Sequence, residues 1–418
     1  MLINLTVSPA SVGDVVADFG ALTRQGAGGV AVTGTSISSG DASGHWQISG
    51  GELSPSATGE DALTGTYNLV LDDAQTVDVT IVANKSSVAS AAELVAAYSA
   101  SPASTATGIL VRDGDYKAES RMTPSLKAFT NQFTIEPHTT FTEAATPDLN
   151  TYTVVLPGLE FPINTANIRI YGLEFYETGT EFNGAIQLVS GSTTAANFIV
   201  EACEIHSRSM TDAYDNAIFG DAVGFSSYAN QTAFWTDLSA VRGVIVNDCN
   251  NFRVLRCYIH DVSRGIVGGT LGIDGGNRSR ISENIITDVV TNFTTIGGST
   301  NGLDIWDNRG LHTWGSNLEV PSNPLHGAVG LSFDPAPLGG RFQNVTVMGN
   351  IMSVGWRRRK YTEDSGDTYT ASNASTGMKF NDPNLDGSND RTYQDITVGF
   401  NTLVTGGIGI EFSGAANI

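Results

Sequence analysis

Several segments in the second half of the chain can be laid on one template. They are NIRIYGLEF from Asn167, NFIVEACEI from Asn197, NFRVLRCYIHD from Asn251 to Asp261, RSRISENII from Arg278, NVTVMGNIM from Asn344 and DITVGFNTL from Asp395. In the copy at Asn251, Phe252 and Val254 alternate as apolar residues, two residues turn, and Cys257 and Ile259 take up the alternation again. Alternation is the strand period. A two-residue interruption leaves no room for a hairpin and a return strand, so the chain bends and continues in the same rotational sense. A recurring strand–bend–strand unit predicts a solenoid.

The third inward position reads Leu173, Cys203, Cys257, Asn284, Asn350 and Asn401 down the copies. Asparagine tolerates the left-handed backbone of a tight bend. Stacked asparagines can also hydrogen-bond to one another, as amide ladders do in cross-β structures. Cysteine and leucine fill the same column as small or apolar core residues. On these residues the sequence resembles the pectate-lyase-like proteins, with their asparagine ladder at a short second turn. The resemblance spans roughly residues 88 to 418. It implies an all-β fold, a right-handed parallel β-helix. Many carbohydrate-active and viral spike proteins share that helix, so it implies less about activity.

In chain order, residues 1–86 form a separate unit. Ile3, Leu5 and Val7 alternate, as do Tyr67, Leu69 and Leu71, then Val77, Val79 and Ile81. Short strands with polar turns predict a small β-sandwich. The stretch GTYNLVLDDAQTVDVTIVAN resembles cadherin-like or immunoglobulin-like modules, which space or attach, and the cadherin calcium motifs are not evident. Residues 87–106 read as a linker with a capping helix: Ser90 to Glu93 matches a capping box, and Val88, Ala91, Val95 and Tyr98 share a face. The helix is expected to cover the open end of the first coil. Residues 107–418 are the β-helix, entered through a turn at Asp113 to Tyr116.

Composition agrees, with 47 glycines and only 16% charged residues. The net charge of -21 argues against nucleic acid or an anionic membrane as a partner of the whole surface. Cys203 and Cys257 fall in the interior column, so the three cysteines read as buried thiols and not a disulfide framework. No apolar run approaches ~18 residues, and the N-terminus lacks the regions of a signal peptide. The final GGIGIEFSGAANI ends just after a strand without a cap, which leads us to expect further chain or a covering partner.

A second strand type opens with glycine or a small residue, at Gly184, Gly243, Gly302, Ala328, Gly377 and Gly407. Taken as the first sheet, it turns Asp304, Trp306, Ser332, Asp334, Lys379, Asn381 and Glu411 outward, with Gly330 and Gly409 between. Asp304 and Lys379 are then expected about 10 Å apart across Gly330. In the polysaccharide lyases that the sequence resembles, this sheet and its preceding turn form the substrate groove. That turn contains Trp356, Arg357, Arg358, Arg359 and Lys360, a dense basic run. Either it is a solvated loop neutralised by Glu363, Asp364 and Asp367, or it is a cationic lip for the carboxylate or sulfate of an acidic polysaccharide. In the second case a sugar ring stacks on Trp306 or Trp356. Lys379 or an arginine such as Arg357 would be the base of a β-elimination, with Arg358, Arg359 and Asn381 binding substrate. Asp304 with Asp334 would instead be an acid pair for hydrolysis.

Other patterns are simpler. His206 and His260 follow third-sheet strands and read as turn hydrogen-bonders. Asp382, Asn384, Asp386 and Asp390 match the early positions of a calcium loop, though Tyr393 stands where the last acid belongs. Arg169, Arg253 and Arg280 form one outward column, with Glu174 and Glu204 as partners. Together these features look like a bacteriophage tail spike or fibre, a virion component commonly trimeric. The rivals are an extracellular bacterial polysaccharide lyase and a non-catalytic adhesive stalk.

Overall fold

The computed structural model describes residues 2–7, 17–18, 37–39, 46–49, 52–55, 65–71, 76–81, 85–104, 106–139, 141–162, 165–177, 184–189, 195–207, 241–313, 329–335, 340–354, 361–362, 368–369, 376–381, 392–405 and 408–413. It divides into two units, Met1–Ser87 with Ala106–Gly108, and Val88–Thr105 with Ile109–Ile418. In the first unit, strands Leu2–Val7, Thr76–Ile81, Gly65–Leu71 and Ile37–Ser39 form one sheet in that order. Its first pair is parallel and the others antiparallel. Ala17–Asp18, Glu52–Pro55 and Trp46–Ser49 form a second, antiparallel sheet.

The second unit winds a 24-stranded sheet into a parallel β-helix. Each strand pairs in parallel with its counterpart one coil away, so three sheets run the length of the stack. The second sheet holds Ala166–Tyr171, Ala195–Glu201, 249–255, Ser279–Ser282, Thr300–Trp306, Phe342–Met348 and Tyr393–Gly399. The third holds Glu174–Tyr176, Glu204–His206, 258–262, 285–289, Arg309–Thr313, Ile351–Val354 and Thr402–Thr405. The first holds Leu159–Phe161, Gly184–Leu188, 244–246, 266–268, 294–298, Val329–Pro335, Thr376–Asn381 and Ile408–Ser413. Period-two alternation puts Phe198, Phe252, Val200 and Val254 inside with no exposed surface.

The bend column stacks as expected, with one rung more than the template shows. Asn284 Nδ2 donates to Asn308 Oδ1 at 2.8 Å, Asn308 to Asn350 at 2.9 Å, and Asn350 to Asn401 at 2.9 Å. Each Oδ1 also accepts the backbone N–H of the rung below, from Cys257, Asn284, Asn308 and Asn350. Each Nδ2 also reaches a strand carbonyl, that of Val254, Ile281, Ile305 or Val347. The left-handed backbone lies one residue earlier than expected, at Gly172, Ala202, Arg256, Glu283, Asp307, Gly349 and Phe400, with φ between 51° and 70°. The ladder asparagines are therefore selected for hydrogen bonding and not for φ. Asparagine's conformational tolerance is used instead at the start of the second-sheet strands, where Asn167, Asn197, Asn251 and Asn344 have φ of 53–60°. There a second, partial ladder forms: Asn197 donates to Asn167 at 2.7 Å, and Asn251 donates to Asn197.

Gly243, Gly265, Gly330 and Gly377 fall in one column at the start of the first-sheet strands. A Cβ on any of them would lie 2.4–2.6 Å from a carbonyl oxygen of the next coil. It would also press within 2.7–3.0 Å on Ile259, Ile286, Met352 or Leu403 of the third sheet. One coil reverses the sizes. Phe293 stands in the glycine column, 2% exposed, and Gly310 stands in the third-sheet column. A Cβ on Gly310 would meet the Phe293 ring at 2.4 Å.

The helix forms at Ala91–Ala100. Ser90 Oγ accepts from Glu93 N at 3.1 Å, and Glu93 accepts from Ala89 N at 2.7 Å. Ala91, Leu94 and Tyr98 are its buried residues, with Leu94 taking the place expected of Val95. Tyr98 packs edge-on against Phe129 and Phe133 at 5.5 Å, so the helix closes the aromatic end of the core. At the entry turn, Asp113 accepts hydroxyls from Thr139 and Thr153. Cys203, Cys249 and Cys257 are free and buried.

Candidate functional site

On the first sheet, burial of Leu331, Phe333, Met378 and Phe380 turns Ser332, Asp334, Lys379 and Asn381 to the outer face. Ser332 registers with Lys379, and Lys379 with Glu411. Asn381 donates to Asp334 Oδ1, and Ser332 Oγ donates to Asp334 Oδ2 at 3.0 Å. Lys379 Nζ lies 3.4 Å from Glu411 Oε1, whose second oxygen accepts from Thr376 at 3.1 Å. One coil below, Gly297 registers with Asp334, and a Cβ there would meet nothing closer than 3.4 Å. The outcome is a row of carboxylate, amide and ammonium groups beside a low glycine floor.

Asp304 and Trp306 do not belong to this row. Thr300–Trp306 pairs with Ser279–Ser282 and Phe342–Met348, which makes it a second-sheet strand. The reason is Asn308, which follows it as a ladder rung and fixes the position of the bend. The expected spacing of Asp304 from Lys379 across Gly330 is therefore wrong, and so is the Asp304–Asp334 acid pair. The Asp304 carboxylate is engaged by Arg278 at 2.8–3.1 Å. The Trp306 ring is covered by the Arg280 guanidinium at 4.7 Å. Trp356, Arg357, Arg358, Arg359 and Lys360, their acidic neighbours Glu363, Asp364 and Asp367, and the calcium-loop residues Asp382, Asn384, Asp386 and Asp390 lie outside the described residues.

The arginine column holds, but its partners differ from expectation. Arg169 pairs with Glu201 at 2.7 Å, Arg253 donates to Asn251 at 2.7 Å, and Ile199 separates the two in register. Glu174 and Glu204 instead face His206 and His260, which are strand residues of the third sheet and not turn residues.

A concave site that the sequence reading missed lies along the asparagine bend, a cleft of about 240 Å³ between the bend and the segment at Glu143–Asn150. Arg256 forms its base, bonded to Glu143 at 2.7 Å and to Glu201. The hydrogen bond from Arg256 lowers the pKa of Glu143, and the same contact raises that of Arg256. Glu283 and Asp307 occupy the next left-handed positions up the stack, about 4.8 Å apart at the backbone. Among the described residues, Asp307 and Arg309 have no side-chain partner. Charge at the residue before Cys257, Asn284 and Asn308 was the available signal.

No family model matches the chain, and no curated protein matches it. The resemblance of the first unit to immunoglobulin-like modules thus rests on its strand pattern alone. Among solved structures, the chain is similar to the catalytic domain of a GH87 alpha-1,3-glucanase variant in complex with tetrasaccharides, with a TM-score of 0.23 and 11% identity. The match covers 75% of this chain and 64% of the length of that one. At that score the likeness bears on neither the fold nor the activity of this chain.

Proposed function

We propose that the β-helix binds a polysaccharide along the outer face of its first sheet. The observation that carries this reading is the row formed by Asp334, Asn381, Lys379 and Glu411 on rigid parallel strands beside Gly297. Sugar hydroxyls need donors and acceptors in alternation, and the row offers both at intervals of about 4.8 Å. Two carboxylates to one ammonium suit a hydroxyl-rich glycan better than a polyanion. The acidic-glycan alternative draws on Arg357 to Arg359. Lys379 is engaged by Glu411, which supports a binding role over that of the base in an elimination. We retain the setting of a tail spike or fibre, homotrimeric on a particle, in which a rigid stack carries the glycan site. The alternatives are a secreted lyase and a non-catalytic stalk. No helix among the described residues is long and apolar enough to cross a membrane.

The test is a panel of neutral and acidic polysaccharides, read for binding, for new reducing ends and for absorbance of unsaturated uronates. Asp334→Ala and Lys379→Ala should each weaken binding about tenfold or more, on the scale of a lost charge-assisted hydrogen bond. Arg169→Ala, on the second sheet, should leave it unchanged. Undiminished affinity in both first-sheet variants would remove the site. Reducing ends with the absorbance indicate a lyase, ends without it a hydrolase, and binding with neither an adhesin.

A further inference from the structure

The third sheet carries a separate cluster, on a different face from the first-sheet row. Burial of Ile205 and Ile259 turns Glu204, His206, Tyr258 and His260 outward, and His206 registers directly with His260. Their rings stack in parallel, 4.7 Å between centroids and 10° between planes. Each Nδ1 has its own acceptor: the carbonyl of Ser207 at 3.0 Å for His206, and Asp261 Oδ2 at 2.8 Å for His260. A left-handed backbone at Asp261, φ 51°, accompanies that contact. Each Nε2 faces a carboxylate, Glu174 Oε1 at 3.1 Å for His206 and Glu204 Oε1 at 3.0 Å for His260. One ligand atom from each of Glu204, His206 and His260 lies within 4.8 Å of the others.

We propose that Glu204, His206 and His260 form a site for a divalent transition-metal ion, with Glu174 available for a fourth position. A histidine that binds a metal donates its other ring N–H to a carboxylate or a backbone carbonyl, which fixes the tautomer and aims the bare nitrogen. Both imidazoles here have the anchoring half of that arrangement, one with each kind of acceptor, while each Nε2 now bonds a carboxylate. Zinc–nitrogen bonds of about 2.0–2.1 Å put tetrahedral ligand atoms roughly 3.3 Å apart. Glu204 and His260 are already at 3.0 Å, and no separation in the trio has to close by more than about 1.5 Å; because parallel rings cannot both aim a lone pair at one ion, binding also turns one imidazole out of the stack. Two imidazoles with one or two carboxylates suit zinc, cobalt or nickel, whereas calcium and magnesium take oxygen ligands. Uptake of the ion releases to solvent the protons through which the Nε2 atoms of His206 and His260 otherwise bond Glu174 and Glu204.

The full chain should be titrated with cobalt(II) near neutral pH, followed by its visible absorption, with zinc as competitor. One equivalent should give a low-coordinate cobalt spectrum that zinc abolishes, and zinc should raise the melting temperature. Asp261→Asn should weaken binding about 10–100-fold. His206→Ala combined with His260→Ala should remove the spectrum and the zinc-dependent melting shift. If circular dichroism shows that this variant is unfolded, Glu204→Gln serves in its place and should shift the cobalt spectrum and weaken binding. A calcium-dependent shift that survives these changes belongs to another site, such as Asp382 to Asp390. Absence of the cobalt spectrum in the unmodified chain, or its persistence in the folded variants, would overturn the proposal.

Discussion

Asn308 is a buried, fully bonded rung in the middle of the ladder. Its amide accepts from the backbone and side chain of Asn284, and donates to Ile281 and Asn350, all away from water. Truncation leaves several buried polar groups unpaired, each costing about 1–3 kcal/mol. Asn308→Ala should therefore lower the melting temperature markedly or abolish soluble expression. Asn401→Ala, at the half-buried end of the ladder, should cost less. Equal effects in a thermal melt would show that the ladder is not a connected unit. The cysteines are quieter. Burial raises the pKa of Cys249 to about 12, so its thiol stays protonated and inert near neutral pH.

At the scale of the element, one coil exchanges a large residue for a small one across the core. Gly310→Met alone should destabilise, because its side chain enters space held by Phe293. Phe293→Gly alone should destabilise by leaving a cavity. The pair together restores the combination seen at Gly330 and Met352, and should melt higher than either single variant. Strict additivity would refute the packing argument. The same coil shows where the sequence is legible and where it is not. The second-sheet strands, the bend and the third-sheet strands were readable from Phe252, Val254, Cys257 and Ile259, because one face is core and the bend is short. The strands at 266–268 and 294–298 were missed because each continues from a third-sheet strand without a turn residue to mark the corner. Thr300–Trp306 was misplaced because Gly302 imitates the glycine that opens a first-sheet strand. Its own glycine serves a left-handed φ of 80° at the second-sheet entrance. Asp334, Lys379, Asn381 and Glu411 were legible as a row by alternation alone. The bend cleft was not, because Glu143 and Asp307 are brought together only by the stack.

Across the whole β-helix, each coil touches chiefly the coils before and after it, so stability accumulates along one axis. Ile259, Ile281 and Phe252 have almost no exposed surface, whereas Phe400, Ile410 and Phe412 are 88%, 44% and 51% exposed. Hydrogen exchange should be slowest for amides at 252–289 and faster toward 402–412. Uniform protection would instead indicate a single cooperative unit. The ladder adds a polarity that the sheets lack. In strands, backbone groups alternate in direction and their dipoles largely cancel. In the ladder, every Nδ2 from Asn284 to Asn350 donates toward the next coil, and no rung is reversed. The amides therefore sum to an electric vector along the stack, as peptide units do in an α-helix, and each rung polarises the next. A charge bound near the bend will sense which way the stack runs, so opposite ends of the same edge are not electrically equivalent surfaces.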